Sequence, residues 1–323
     1  MKNIALKDVQ DFAYLADKAY KDVKPTSDKY YNKDKHLPKD GIITNPATNS
    51  SFEVVEQKNE YTAFEKGFGF SATVFKNTET NEYVIAFRGT NDGEDILDDL
   101  IMAITSTGLL GDVTNKQFSQ AFAFAIEQIK AILASDPNAK ISLTGHSLGG
   151  SLAQAVGAKL KLQTTTFNAY GIKAYGENIL SEDEINSAKD YVTNIYDSRD
   201  PISNGTLFGE QLGKSIALDT GGNAILDFFA LTALTGSLLG SLAKLANLHK
   251  HFIENLSSNL DKVEPFLPFI NIGLYDPIAL DLNNNGKIDT LSLENGVFFD
   301  HNGDEIAFKS SWISAEDGIK CGI

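Results

Sequence analysis

The six residues Gly145-His146-Ser147-Leu148-Gly149-Gly150 constrain this chain more than any other stretch. They follow Lys140 to Thr144, which reads as a short buried strand, and lead into Gly149 to Leu162, which is Ala-rich and helical in spacing. A Gly-x-Ser-x-Gly element in that context demands a sharp bend, and the flanking glycines tolerate the close approach of strand and helix. Such a bend exposes the serine hydroxyl at the top of a sheet. The helix N-terminus beginning at Leu148 then offers a backbone N–H and the positive end of a dipole to a developing oxyanion. Ser147 is therefore a candidate nucleophile for acyl transfer.

The surrounding pattern fits an α/β class. Residues Gly69 to Thr90 read as a hairpin around a polar turn at Asn77 to Asn81, with Tyr83 to Phe87 as a central strand. A helix is expected over Gln117 to Leu133, and further strands over Gln163 to Phe167 and Tyr191 to Tyr196. Strands alternating with helices predict a mostly parallel sheet flanked by helices on both faces. At the N-terminus, Ile4, Leu6, Val9, Phe12, Ala13, Leu15 and Ala16 recur at helical spacing, whereas residues 21–60 read as an irregular, solvated connection. The sixteen uncharged residues 228–243 fall short of the roughly 20 that a membrane span needs. They read as a buried helix or helical hairpin, or as an apolar wall facing a lipid-like ligand. From Asp276 on, nine acidic residues stand against three basic ones. The expected division is 1–60 as N-terminal helix and connection, 61–275 as the α/β domain, and 276–323 as a small acidic C-terminal appendage.

Composition narrows the function classes. The 323 residues carry a net charge of −15, which argues against a nucleic-acid partner because phosphate contacts need a basic face. Hydrophobic residues make up 42% and charged residues 22%, enough apolar material for an ordinary core. The single cysteine, Cys321, excludes an internal disulfide and a cysteine-based zinc site. The first twenty residues lack the continuous apolar stretch of a Sec-type leader, so export is expected to follow a leaderless route, with a cytoplasmic location as the alternative.

A serine nucleophile needs a base and an orienting acid. In this topology they follow the serine as acid, then histidine. That order eliminates His36 and His146, the latter reading as an elbow residue buried behind the nucleophile. It leaves His249, His251 and His301, with His251 the first choice. The acid belongs just past the strand Tyr191 to Tyr196, where Asp197 and Asp200 stand; Asp200 precedes Pro201, which biases its backbone to an extended turn. The strand ending in Arg88-Gly89-Thr90 delivers a backbone N–H and a hydroxyl close to the same sheet edge. Arg88 itself reads as a structural cation.

Taken together, FSATVFKNTETNEYVIAFRGT, LTGHSLGGSLA, FNAYG, YDSRDPIS and HKHFIENL resemble the class 3 lipases, an α/β-hydrolase family, over roughly residues 60–256. The resemblance implies Ser147 as nucleophile, Asp200 as orienting acid, His251 as base, and Thr90 and Leu148 as oxyanion donors. It also implies that the segment after Thr90 is a lid, and that the protein hydrolyses a lipid ester, a triacylglycerol or the sn-1 ester of a phospholipid, in peripheral contact with a lipid surface and with no organic cofactor. In the tail, Asp281, Asn283, Asn285 and Asp289 occupy positions 1, 3, 5 and 9 of an EF-hand-like loop, with Gly286 at 6 and Ser292 in place of the Glu at 12. A structural calcium ion is the expectation there. The tail resembles calcium-loop segments of bacterial type I and RTX secreted proteins, which implies a bacterial, exported protein. The alternative class is a non-catalytic, calcium-dependent binding or adhesion module on a hydrolase scaffold.

Overall fold

The structure is a computed structural model. It describes residues 5–60, 70–89, 109–173, 179–200, 202–203, 210–218, 220 and 252–260, with side chains from Lys116 onward in the segment that starts at 109, and the backbone of four short strands between 278 and 320. Two compact units are present, Met1–Glu264 and Pro265–Ile323.

The first unit is built on an eight-stranded sheet. In chain order its strands are β3 (Ile42–Thr44), β4 (Ser51–Glu60), β5 (Phe70–Asn77), β6 (Glu82–Phe87), β7 (Lys140–His146), β8 (Gln163–Phe167), β9 (Val192–Asp197) and β10 (Lys214–Leu218). Spatial order runs β10-β9-β8-β7-β6-β5-β4-β3. Neighbours from β6 to β10 are parallel, and those from β3 to β6 are antiparallel. A separate parallel pair joins β1 (Asp22–Lys24) to β2 (His36–Pro38).

Helices cover both faces. The helix α1 (Leu6–Lys18) buries Val9, Phe12, Ala13, Leu15 and Ala16, one stripe of its surface, against β6, β7 and β8. Opposite it lie α2 (Leu109–Ser135) and α3 (Leu148–Leu160), whose Phe118, Phe124, Leu152 and Val156 pack with Leu143 of β7 and Ile85 of β6. The alternation of a strand is visible at adjacent residues of β7. Leu143 enters that core, while the Thr144 hydroxyl donates to the carbonyl of Thr165 at 2.8 Å and reaches that of Phe12 in α1 at 3.2 Å. Two short helices, α4 (Glu182–Ser187) and α5 (Ile253–Ser257), complete the described part of this unit; Ser181 and Glu184 cap α4 reciprocally.

The expected hairpin, the parallel strands after it and the helices on both faces are all present. Residues 21–60 differ from expectation: they contain β1 to β4, and β4 is ten residues long. Only Phe52 and Val54 of β4 are buried, so its mostly polar sequence conceals a ladder made by backbone pairing with β5. The helix expected over 117–133 begins at Leu109, and β10, with exposed Ser215 inside it, was not anticipated.

The turn preceding β4 is held from inside. The buried carboxylate of Asp11 on α1 accepts from Asn45 Nδ2 at 2.8 Å, from Ser50 Oγ at 2.7 Å and from the Thr48 hydroxyl. Removing it leaves three donors without their acceptor, so Asp11→Ala is expected to cost about 2–4 kcal/mol. A chemical-denaturation midpoint unchanged from the parent would contradict this.

The second unit, described by itself, contains two antiparallel pairs. The strand β11 (Ile278–Leu280) pairs with β14 (Gly318–Lys320), and β12 (Val297–Phe299) with β13 (Phe308–Ser310). It begins at Pro265, before the change of composition at Asp276.

Candidate active site

Ser147 is the single residue between the end of β7 and the start of α3, and its backbone sits at φ 55°, ψ −127°. An L-residue in that region carries about 1–3 kcal/mol of strain. Two hydrogen bonds hold it there: the Ser147 N–H donates to the Phe167 carbonyl of β8, and the Ser147 carbonyl accepts from the Ser151 N–H, each at 3.1 Å. Close approach of backbone does the rest. A Cβ at Gly149 would stand 2.1 Å from the carbonyl oxygen of Phe87, and one at Gly145 would stand 2.4 Å from the Gly149 backbone. The elbow read from the sequence is thus built, and Leu148 opens α3 as expected. One point differs. Ser147, at the carboxyl edge of the parallel strands, is only 3% exposed.

His146 is buried behind the nucleophile, with Nδ1 2.8 Å from the Tyr20 hydroxyl. Burial pushes the Tyr20 phenol well above its usual value, against a smaller opposing effect of the Gly89 N–H, which hydrogen-bonds its oxygen. Tyr20 therefore stays protonated at neutral pH. Arg88 is structural in its surroundings: its N–H donates to the Ser71 carbonyl at 3.0 Å and its guanidinium reaches Asp22 at 3.3 Å. Burial pulls that guanidinium below its ordinary value, with Asp22 opposing the shift.

Both candidate acids are fully buried, Asp197 as the last residue of β9 and Asp200 three residues beyond it, and they differ in what holds them. Asp200 sits in a tight turn, where its carboxylate accepts the N–H of Ile202 at 3.0 Å, the N–H of Ser203 at 3.3 Å and the Ser203 hydroxyl. Asp197 ties neighbouring loops together. One oxygen accepts the Arg199 N–H at 2.9 Å, and the other accepts from the Thr220 hydroxyl and from Asn255 Nδ2 of α5 at 3.5 Å. Its own N–H donates to Asn168 Oδ1 at 2.9 Å, just past β8. Tyr20, Asn168, Thr220 and Asn255 were not singled out from the sequence, which offers no local signal for any of them.

Thr90, His249, His251 and His301 lie outside the described residues, as do the segment following Thr90, the apolar stretch 228–243 and the calcium candidates Asp281, Asn283, Asn285 and Asp289. Among the described residues no group of three His, Cys, Asp or Glu side chains is placed to hold a metal ion. Among them, too, no helix is long and apolar enough to cross a membrane.

A strained serine between a parallel strand and a helix, with buried carboxylates after a later strand, is the framework of an α/β-hydrolase. Residues 11–198, more than half of the chain, match the Tle-like phospholipase domain of the phospholipase-like group. The chain belongs to that family. The Tle-like match begins inside α1 and ends just past β9, so it takes in Tyr20, the elbow and Asp197. An extracellular phospholipase A1 of Serratia liquefaciens is 38% identical over 124 residues, which is 38% of this chain and 34% of that protein. The matched region thus spans about a third of the relative's length. Among solved structures, a mutant form of MDLA from Penicillium cyclopium is similar at 16% identity over 68% of this chain and 82% of the other, with a TM-score of 0.47. For the Lip2 lipase of Yarrowia lipolytica the values are 14%, 65%, 77% and 0.44. The hydrolase fold is read from the strand order and the elbow, not from these two likenesses.

Proposed function

We propose that this chain is a serine carboxylic ester hydrolase that removes the sn-1 acyl chain of a phospholipid. The observation that carries the reading is the backbone of Ser147, a strained conformation with no structural benefit unless the hydroxyl has to stand at the bend. Membership of a phospholipase-like family and the likeness to a phospholipase A1 support the phospholipid over a triacylglycerol.

In the proposed reaction His251 takes the proton of the Ser147 hydroxyl as Oγ attacks the ester carbonyl. The backbone N–H groups of Leu148 and Thr90 hold the oxyanion. Collapse expels the lysophospholipid alkoxide, which takes the proton from His251, and water then cleaves the acyl-enzyme with the same base. Asp200 orients the imidazole. Its turn-locked carboxylate favours it over Asp197, whose oxygens serve the loops around it. His251 is favoured over His249 because it immediately precedes Phe252, the N-cap residue of α5, which is tied through Asn255 to the end of β9.

The test is positional. Phosphatidylcholine vesicles carrying different acyl chains at sn-1 and sn-2 should release the sn-1 acid and leave the 2-acyl lysolipid, and triolein should be a poorer substrate. In Ser147→Ala that release should fall to background. Equal release by both proteins would overturn the nucleophile and leave the binding-module class standing; preference for triolein would move the substrate to neutral lipid.

We also propose that Asp281, Asn283, Asn285 and Asp289 hold a structural calcium ion and that the protein is exported. The calcium reading predicts that a chelator lowers the melting temperature and that added calcium, not magnesium, restores it. No shift in stripped protein on adding calcium would remove the site. For export, the expected result is recovery of the protein from the culture medium of the cells that make it; its retention inside washed cells would count against this.

A further inference from the structure

Three parts of the candidate site converge on one phenol. Tyr20 follows the end of α1, and its oxygen lies 2.8 Å from Nδ1 of His146, the residue before Ser147. That oxygen also lies against Gly89, the residue before Thr90. The approach is close: a Cβ at Gly89 would stand 2.4 Å from the Tyr20 oxygen, 2.8 Å from the His146 carbonyl oxygen and 3.3 Å from Ser147 Cβ. The Tyr20 ring packs tilted on the His146 imidazole, with centroids 5.8 Å apart.

We infer that Tyr20 is a positioning residue for the ester hydrolysis proposed above, its hydroxyl fixing the gap between the end of β6 and the elbow. The inference rests on that reading of Ser147. The two expected oxyanion donors come after different strands in the chain: Thr90 is three residues past the end of β6, and Leu148 two past the end of β7. Hydrogen bonding along the β6–β7 ladder ends at Phe87 and Gly145. Beyond that point the sheet no longer sets the spacing of the two chains. Tyr20 bridges them there, one residue short of each reacting element. An oxyanion hole is useful only when its donors are held at the position the charge will occupy, so a slack gap lowers kcat more than it weakens binding.

The experiment compares the parent, Tyr20→Phe, His146→Leu and the double variant on a short-chain nitrophenyl ester, well below each melting temperature. A fluorophosphonate that forms a Ser147 Oγ–P bond with loss of fluoride is followed in parallel by mass spectrometry. Tyr20→Phe keeps the ring and should lose roughly ten- to a hundred-fold in kcat and in labelling rate, with KM within about two-fold. The double variant should be no slower than the slower single variant, because both remove the same link. Labelling of parent and Tyr20→Phe at equal rates overturns the inference while leaving the nucleophile intact, even if the variant melts lower. Multiplying losses in the double variant also overturn it. Absence of Ser147 labelling in the parent removes the hydrolase reading, and the positioning role falls with it. Should Tyr20→Phe not fold, His146→Leu alone carries the kcat-against-KM comparison.

Discussion

Glycine at position 147 should abolish ester hydrolysis, by about 10⁴-fold or more, and at the same time make the protein more stable. The native φ of 55° is unfavourable for serine and open to glycine. Strain of about 1–3 kcal/mol would be relieved, while glycine's greater freedom in the unfolded chain takes back about 0.5–1 kcal/mol. A net gain near 1 kcal/mol corresponds to a melting temperature higher by roughly 2–4 °C in a unit of this size. Ser147→Ala is the proper companion, since it loses the hydroxyl and its hydrogen bonding without freeing the backbone. The difference between Gly and Ala therefore reads the strain. If the glycine variant is no more stable than the alanine variant, the bend is unstrained and the observation that carries the functional reading is lost.

The second large effect belongs to Gly149→Ala. Its added methyl carbon would sit 2.1 Å from the Phe87 carbonyl oxygen and 2.7 Å from the Arg88 carbonyl carbon, both backbone atoms. No rotamer can relieve such an overlap. Either α3 moves away from β6 or the end of β6 bends, and each displaces Gly89, which abuts the elbow. An expected cost of about 3 kcal/mol or more would lower the melting temperature by roughly 6–12 °C, and catalysis should fall even at temperatures where the variant is folded. Parent-like stability with parent-like kcat would show that strand and helix are farther apart than described.

These two positions also show why the elbow was legible in the sequence. Its requirements are local: small residues two before and two after the serine, a strand behind and a helix ahead, all within about twenty residues. The sheet around it was legible wherever burial imposes a pattern, as in β5, β6 and β8. It was not legible in β4, where two buried residues are followed by Glu, Gln, Lys and Asn, nor in β10, where Lys214 and Ser215 leave an apolar run of only three residues. The acid was narrowed to two residues but not resolved, because the distinction lies in partners distant in the chain. Thr220 and Asn255 engage Asp197, whereas Ile202 and Ser203 enclose Asp200. Tyr20 lay beyond reach altogether, since nothing beside it in the chain hints at a partner 126 positions away.

That separation has a kinetic side. The contacts of α1 and of Tyr20 just after it reach forward to Thr144 and His146, 132 and 126 positions later in the chain. At a synthesis rate of about 5–20 residues per second, this segment waits roughly 6–26 seconds after its own synthesis before β7, the middle strand of the three that cover its apolar stripe, has been made. Of the three strands that cover Val9, Phe12 and Leu15, only β6 is complete during that interval. The docking surface of α1 is thus complete only once β8 has joined it, and Tyr20 meets His146 no earlier than the elbow itself is made.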